Sequence, residues 1–235
     1  VYDEAVTVTG TPTVTLSNND VASYSSGSTT TSIVFTTTVA QGDATSSDLA
    51  VSSIQPTAGG ATMKDANDNA IDSTITGGDL GTVTVDGAVP VFVSVAATDG
   101  AYGVGETITI TVTWGEAVVV SGTPTLSLDN GDTASYVSGT GNTALVFTTV
   151  VADGDTDSSD LSVSSYGGTI ADAAGGAAGA ASGDLGAVLI DGDTPDMTGC
   201  SAPDGAYGVG EVITITCVYD EAVTVTGTPT VTLSN

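Results

Sequence analysis

The chain has 235 residues, of which 28 are Asp or Glu and only one is Lys, and its net charge is −27 because it contains no Arg and no His. This charge repels phosphate groups, which argues against nucleic acids and anionic lipid surfaces as partners. Such charge on a folded domain needs screening salt or bound cations.

The chain opens with VYDEAVTVTGTPTVTLSN at residues 1–18, and the same eighteen residues return as residues 218–235. A diverged third copy lies between them, in which Glu116 matches Glu4 at an offset of 112 residues. The string DGAYGVGE at residues 99–106 also returns, 105 residues later. Repetition of this kind is typical of an extended array of similar modules.

Pro90 and Pro195 follow Asp-Gly pairs at equivalent positions and mark the seams between repeats. We therefore predict a first unit at residues 1–88 that lacks its first strands, a complete second unit at residues 89–193, and a third unit at residues 194–235 that supplies only first strands. The size of a complete unit suits one independent core.

Two arrangements fit these units. The chain is either a window on a continuous array, or its third unit completes the open unit of a neighbouring molecule by strand donation. The duplicated eighteen residues favour the array, because donor and acceptor would otherwise carry the same strand twice.

Apolar and polar residues alternate along the second unit, for example in TITITVTW at residues 107–114 and LVFTTVV at residues 145–151. β-branched runs bounded by Gly, Asn and Asp predict half-buried antiparallel strands, with residues 117–122 as a short connection. About seven such strands in each unit predict an all-β fold of two-sheet sandwiches.

Residues 65–69, DANDN, match the DxNDN pattern of cadherin linkers. They lie inside the first unit rather than between units, and their counterpart in the second unit is DAAGG at residues 172–176. We interpret the pattern as a turn.

Acidic residues collect in the loops of the second unit and around the seam that follows it. In a succession of antiparallel strands, the turn at residues 99–106, the loop at 153–160 and the exit seam at 191–196 reach one pole, to which residues 220–221 return from the third unit. Oxygen-rich clusters suit Ca²⁺, which takes about six to eight oxygen ligands, and a bridging ion would stiffen the junction. The candidate ligands are Asp99, Glu106, Asp153, Asp155, Asp157, Asp160, Asp191, Asp193, Asp196, Asp220 and Glu221. The alternative is a set of solvated acidic loops.

The two cysteines, Cys200 and Cys217, stand where the second unit has Val95 and Val112. Because both positions change together, we expect a disulfide, with two buried free thiols as the alternative. A tight hairpin through residues 203–210 would not place the sulfurs opposite each other, so the first strand must bend or change sheets. A disulfide stabilises such a module by on the order of 3 kcal/mol and indicates an oxidising, extracellular setting.

The string at residues 99–155 resembles bacterial extracellular immunoglobulin-like or cadherin-like tandem repeats. It looks most like the repeat of giant cell-surface proteins linked to swimming motility in marine cyanobacteria. The resemblance extends over essentially the whole chain and depends on the segment GTPT[VL][TS]L, followed by [AS]xYxSG. It implies tandem immunoglobulin-like β-sandwich domains in a secreted, surface-attached array without enzymatic activity.

Together these features predict a structural repeat module of a secreted giant surface protein or extracellular filament. Such a module acts as a stiff spacer with calcium-stabilised junctions, and its partners are copies of itself. The alternative is an adhesin module whose Thr-rich face, with Thr107, Thr109, Thr111 and Thr113, binds carbohydrate or ice. We expect no enzyme, because carboxylates in turns with few aromatic neighbours form a poor sugar cleft. We also expect no membrane insertion within this segment.

Overall fold

The computed structural model describes residues 2–234 of the chain. Within this range the fold is all-β, with antiparallel pairing in every ladder between named strands except one, and its only helical element is a 3₁₀ turn at Ala58–Gly60. No helix in the described range is long and apolar enough to cross a membrane.

The first unit forms two small sheets around its own apolar core. Its strands are β1 (Thr7–Thr9), β2 (Thr13–Leu16), β3 (Val21–Ser26), β4 (Val34–Thr36), β5 (Val51–Gln55) and β6 (Thr62–Lys64). Strands β4, β3, β2 and β5 form one sheet in that order, and β1 pairs with β6. The alternating pattern places Val14 and Leu16 of β2 in the core, while the Thr residues between them are only half-buried.

The second unit is the most extensively paired part of the chain. Its strands are β7 (Phe92–Ala97), β8 (Gly100–Tyr102), β9 (Thr107–Leu128), β10 (Thr133–Ser138), β11 (Asn142–Val150), β12 (Ser162–Ala171), β13 (Gly183–Asp184) and β14 (Val188–Ile190). All except β8 and β14 belong to one six-stranded sheet, and β8 pairs with β14 in parallel.

Strand β9 runs for 22 residues through the segment that the sequence pattern assigned to a short connection, so that prediction is wrong. Residues 119–121 stay in the strand because they pair with residues 169–171 of β12. The first half of β9 pairs with β7 and β11, and its second half pairs with β12 and β10. Gly122 has a φ of +74° and lies between residues 121 and 125, where the register of pairing with β12 shifts.

The core of the second unit confirms the alternation predicted for residues 107–114. Ile108, Ile110 and Val112 are at most 1% exposed, and Trp114 is 2% exposed. The Trp114 ring makes edge-to-face contacts with the rings of Phe92 and Tyr166, at centroid distances of 6.1 and 5.8 Å. Such aromatic contacts add stability beyond the burial of apolar area.

The third unit forms one hairpin, with β15 at Met197–Ser201 and β16 at Thr216–Tyr219. Its apolar residues lie at positions that are buried in the second unit, yet they are exposed here. Ile213, Val231 and Leu233 are 46%, 60% and 57% exposed, whereas their equivalents Ile108, Leu126 and Leu128 are 1%, 1% and 5% exposed. Within the described part of the third unit, these side chains have no core to enter.

The first unit has the complementary feature, a groove of about 780 Å³ that opens onto its core. Apolar side chains that line it include Val14, Leu16, Ala22, Ile33, Phe35 and Leu49. In the second unit the residue equivalent to Phe35 is Phe147, which is fully buried and lies opposite Ile110 of β9. The groove therefore lies where the second unit places β7 and the first half of β9.

Candidate metal centres at the junctions between units

Three carboxylates meet at the junction between the first and second units. Asp86 directly follows Val85 of the first unit's core, Glu116 lies in the middle of β9, and Asp172 comes directly after β12. Pairing of Val119 with Ala171 brings β9 and the end of β12 together, which places Glu116 near Asp172. One oxygen from each carboxylate lies within 4.8 Å of the others, so this cluster, which we call the first-junction triad, can hold a metal ion.

Asp172 is the most deeply buried member of the triad, with 6% of its surface exposed. Its Oδ1 accepts hydrogen bonds from the backbone N–H groups of Ala174 and Gly176, at 2.8 and 2.9 Å, so a turn fixes the carboxylate. Its Oδ2 is buried without any hydrogen-bond partner. A buried carboxylate oxygen without a partner is energetically costly, and a bound cation would remove that cost.

Gly176 leaves space beside this oxygen. A Cβ built on Gly176 would collide with Asp172 Oδ2 and would lie 2.9 Å from the carbonyl oxygen of Ala88. The Ala88 N–H in turn donates to Asp86 Oδ1 at 3.1 Å. The seam backbone of the first unit and the turn of the second unit thus approach the same point, and both present oxygen atoms.

The electrostatics of the triad are unfavourable without a cation. Burial raises the pKa of Glu116, and the neighbouring Asp172 and Asp86 carboxylates raise it further. The only Lys of the chain is engaged elsewhere, since Lys64 Nζ lies 2.8 Å from Asp68 Oδ1. A proton on Glu116 or a bound cation would relieve this repulsion.

The junction between the second and third units carries a more open acidic cleft of about 670 Å³. Its acidic lining contains most of the residues predicted as metal ligands, namely Asp153, Asp157, Asp191, Asp193, Asp196, Asp220 and Glu221. Burial raises the pKa of Glu221, followed by the effects of Asp191, Asp220, Asp193 and Asp157. Glu221 Oε1 is buried without a hydrogen-bond partner.

Several carboxylates of this second-junction cleft also make hydrogen bonds that set its shape. Asp157 Oδ1 accepts from the Gly192 N–H at 2.8 Å, and Asp220 Oδ1 accepts from the Asp196 N–H at 2.8 Å. The second bond joins the exit seam to the end of β16, and the Asp220 N–H donates back to the Asp196 carbonyl at 3.1 Å.

The other predicted ligands do not line the cleft. Asp99 Oδ1 accepts from the Ala187 N–H at 3.1 Å, Glu106 Oε2 from the Gly103 N–H at 2.9 Å, and Asp155 Oδ2 from the Ala152 N–H at 2.6 Å. Asp160 is exposed, and its N–H donates to Ser158 Oγ. These residues organise turns of the second unit.

The sequence prediction missed all three residues of the first-junction triad. Two of them carried a usable signal, because Asp86 and Glu116 occupy the repeat positions of Asp191 and Glu221. Asp172 had no such signal in the sequence. Its counterpart Asp65 is satisfied locally, since Asn69 Nδ2 donates to Asp65 Oδ2 at 2.8 Å, and a glycine replaces that asparagine beside Asp172.

The predicted disulfide between Cys200 and Cys217 is confirmed. The two residues lie directly opposite each other in the β15–β16 ladder, as Val95 and Val112 do in the β7–β9 ladder. A tight hairpin would not have placed the two sulfurs opposite each other, but the connection between these strands is not a tight hairpin. In the second unit, the equivalent connection contains β8, which pairs with β14. Disulfides of this kind are typical of oxidising compartments.

The Thr residues of β9 have mixed polar and apolar neighbours on the adjacent strands. Thr109 lies opposite Thr148 of β11, but Thr111 lies between Val146 of β11 and Ala96 of β7. Neighbours of mixed polarity are ordinary for the outer face of a strand.

No protein-family model, curated protein or solved structure matches the chain. The likeness to swimming-motility repeats stays a prediction.

Proposed function

We propose that the chain is a structural repeat module made of tandem immunoglobulin-like β-sandwich domains, and that it serves as a stiff spacer in a secreted giant surface protein or extracellular filament. In this proposal calcium ions hold the junctions between modules. The observation that carries it is that both junctions bring together carboxylates of the two flanking units, at equivalent repeat positions: Asp86 with Glu116, and Asp191 with Glu221.

A spacer keeps its length only if its modules do not pivot about the seams. The seam residues between Asp86 and Pro90 are few, so little besides the contacts at the junction fixes the angle between units. Like-charged carboxylates on both sides push the units apart, and a shared divalent cation converts this repulsion into attraction. Cation binding would thus set the stiffness of the array.

The partners in this proposal are further copies of the same modules. The groove of the first unit exposes core residues such as Phe35, and the third unit exposes Ile213 at a position that is buried in the second unit. A segment with the sequence of residues 194–217 supplies the strands that the groove lacks, because in the repeat it occupies the positions of β7 and the first half of β9.

An extracellular location is part of the proposal. Disulfides such as Cys200–Cys217 form and persist mainly in oxidising environments, and the net charge of −27 suits a medium rich in salt and divalent cations. Repetition and mechanical resistance suffice for a spacer, so the module needs no catalytic site.

Small-angle X-ray scattering of the full chain tests the proposal. With calcium we expect a longer maximum dimension and a narrower distribution of interdomain distances than in chelator, together with a higher melting temperature. A potassium chloride control at matched ionic strength separates ion binding from screening. Identical scattering and melting in calcium and in chelator would refute the stiffening role.

A further inference from the structure

We propose that the first-junction triad of Asp86, Glu116 and Asp172 is a built binding site for one Ca²⁺ ion, organised around Asp172 Oδ2. This inference rests on the proposed function in treating the junctions as cation-held, and it names the ligands of one of them. The site lies outside the cleft that the acidic loops of the second unit form.

The separation of the three oxygens fits a single ion. Calcium–oxygen distances are about 2.4 Å, so two oxygens on one ion lie at most about 4.8 Å apart. The ligand oxygens of the triad all lie within 4.8 Å of one another. One ion at their centre can therefore reach all three carboxylates with little movement of the backbone.

Asp172 separates this cluster from an ordinary group of surface acids. Asp172 is 6% exposed, its Oδ1 is held by two backbone N–H groups, and its Oδ2 is buried without a hydrogen-bond partner beside the Gly176 position that the Ala88 carbonyl also approaches. One oxygen of this carboxylate lies within 4.8 Å of the Asp86 and Glu116 carboxylates. Nothing else in the described range offers this oxygen a donor. A carboxylate that is fixed, buried and unpaired in this way is preorganised for a cation.

The donor set favours calcium over other divalent ions. All three side chains provide hard oxygens. The Ala88 carbonyl oxygen is a further hard oxygen nearby, because it and Asp172 Oδ2 both lie beside the position that a Cβ on Gly176 would occupy. Thiolate and imidazole ligands, which favour zinc, are lacking, since the chain has no His and its two cysteines are bonded to each other. The ligands come from three separate segments in irregular geometry, which calcium tolerates better than magnesium.

The only Trp of the chain provides a specific readout. Trp114 precedes Glu116 by two residues in β9, so its Cα lies about 7 Å along the strand from the Cα of this member of the triad. Terbium binds calcium sites and emits when a nearby Trp transfers excitation energy to it. Selective excitation of Trp114 in the full chain will therefore report terbium at the triad, and competition with calcium and with magnesium will give the ion preference.

The test compares Asp172→Asn with a matched control, Asp65→Asn. Asparagine at 172 keeps the Oδ1 acceptor for the turn but removes the charge, whereas Asp65 already has the Asn69 amide on its Oδ2. We expect Asp172→Asn to weaken Trp-sensitised terbium binding about tenfold or more, and Asp65→Asn to leave it unchanged. We expect calcium to displace terbium from the wild type more effectively than magnesium does.

Unfolding of Asp172→Asn in chelator, followed by Trp114 fluorescence, checks that the variant folds. We expect it to be at least as stable as the wild type there, because one of three crowded charges is gone. Unchanged terbium binding in Asp172→Asn, or equal displacement by magnesium, would overturn the inference.

Scattering distinguishes this inference from the proposed function. Tight calcium binding that depends on Asp172 but leaves the dimensions of the chain unchanged would keep the site and remove the stiffening role. A calcium-dependent change in dimensions that persists fully in Asp172→Asn, without terbium emission from Trp114, would remove the site and keep the stiffening role at the second junction.

Discussion

The pair Phe147 and Phe35 offers a direct measurement of how complete the two cores are. Both residues occupy the same repeat position and both lie in strands next to a tyrosine, with Phe147 packed against Tyr136 and Phe35 against Tyr24. Phe147 is fully buried, whereas Phe35 borders the groove and is only partly buried. The same substitution at the two sites should therefore have different costs.

The expected size of the effect follows from burial. A fully buried Phe removes about 200 Å² from water, which at about 25 cal/mol per Å² corresponds to about 5 kcal/mol as an upper value. Truncation of a core Phe to Ala costs about 3–5 kcal/mol. We predict a loss in this range for Phe147→Ala and a loss of about 1–2 kcal/mol for Phe35→Ala, because a groove-lining side chain leaves little cavity behind.

Urea unfolding separates the two effects. Trp114 fluorescence reports the second unit, and circular dichroism reports both units. Phe147→Ala should lower the urea midpoint of the fluorescence transition, and Phe35→Ala should leave that transition in place. An equal free-energy loss for the two variants would refute the reasoning, since it would mean that the groove is filled and that Phe35 is as buried as Phe147.

Three further predictions concern the junctions and the disulfide. Replacing Cys200 and Cys217 with Ser should speed amide hydrogen exchange in β15 and β16, because the disulfide closes only the hairpin of the third unit. The urea midpoint followed by Trp114 fluorescence should stay at its wild-type value. A shift of that midpoint would show that the third unit stabilises the second. Gly176→Ala should reduce calcium affinity about tenfold or more in calorimetry, because its Cβ collides with Asp172 Oδ2 and lies close to the Ala88 carbonyl oxygen. Unchanged affinity would contradict a calcium site beside Gly176. In chelator, the stability that Glu116 contributes should be fully present below its ordinary pKa and be lost as the pH rises through its raised folded pKa. The urea midpoint of the wild type should therefore fall over that pH range, and that of Glu116→Gln should fall less. The same decrease of the urea midpoint with pH in both proteins would contradict the raised pKa.

The all-β fold was predictable because strand signals here are local. Alternation in residues 107–114 places Ile108 and Ile110 inside, and the structure confirms it. The continuation of β9 beyond residue 116 was not predictable from the same pattern. The alternation of apolar and polar residues breaks at the three consecutive valines 118–120, and pairing with residues 169–171 of β12, distant in sequence, holds residues 119–121 in the strand.

The candidate sites show the same division between local and distant information. The disulfide followed from two coupled substitutions at repeat positions, and the structure places those positions opposite each other. The acidic loops around residues 153–160 and 191–196 were visible as dense runs of Asp. The triad was not visible, because its members are single acids from three segments, and the sequence around Asp172 differs from that around Asp65 mainly in having Gly176 where Asn69 stands.

The contrast between the two junctions explains why one repeat position can carry two kinds of site. The second-junction cleft has Asp193 and Asp196 where the first junction has Ala88 and Val91, so its charge is spread over an open cleft of many acids. The first junction concentrates its charge on three oxygens around a buried Asp172.

A preorganised site with few ligands gains affinity because the ion pairs with a buried carboxylate oxygen that otherwise has no partner. An open cleft gains affinity from the number of its charged ligands. Both designs meet the same physical demand. A chain with a net charge of −27 and one Lys has almost no side-chain cations of its own to offset this repulsion, so in the proposed array the bound cations would come from the medium.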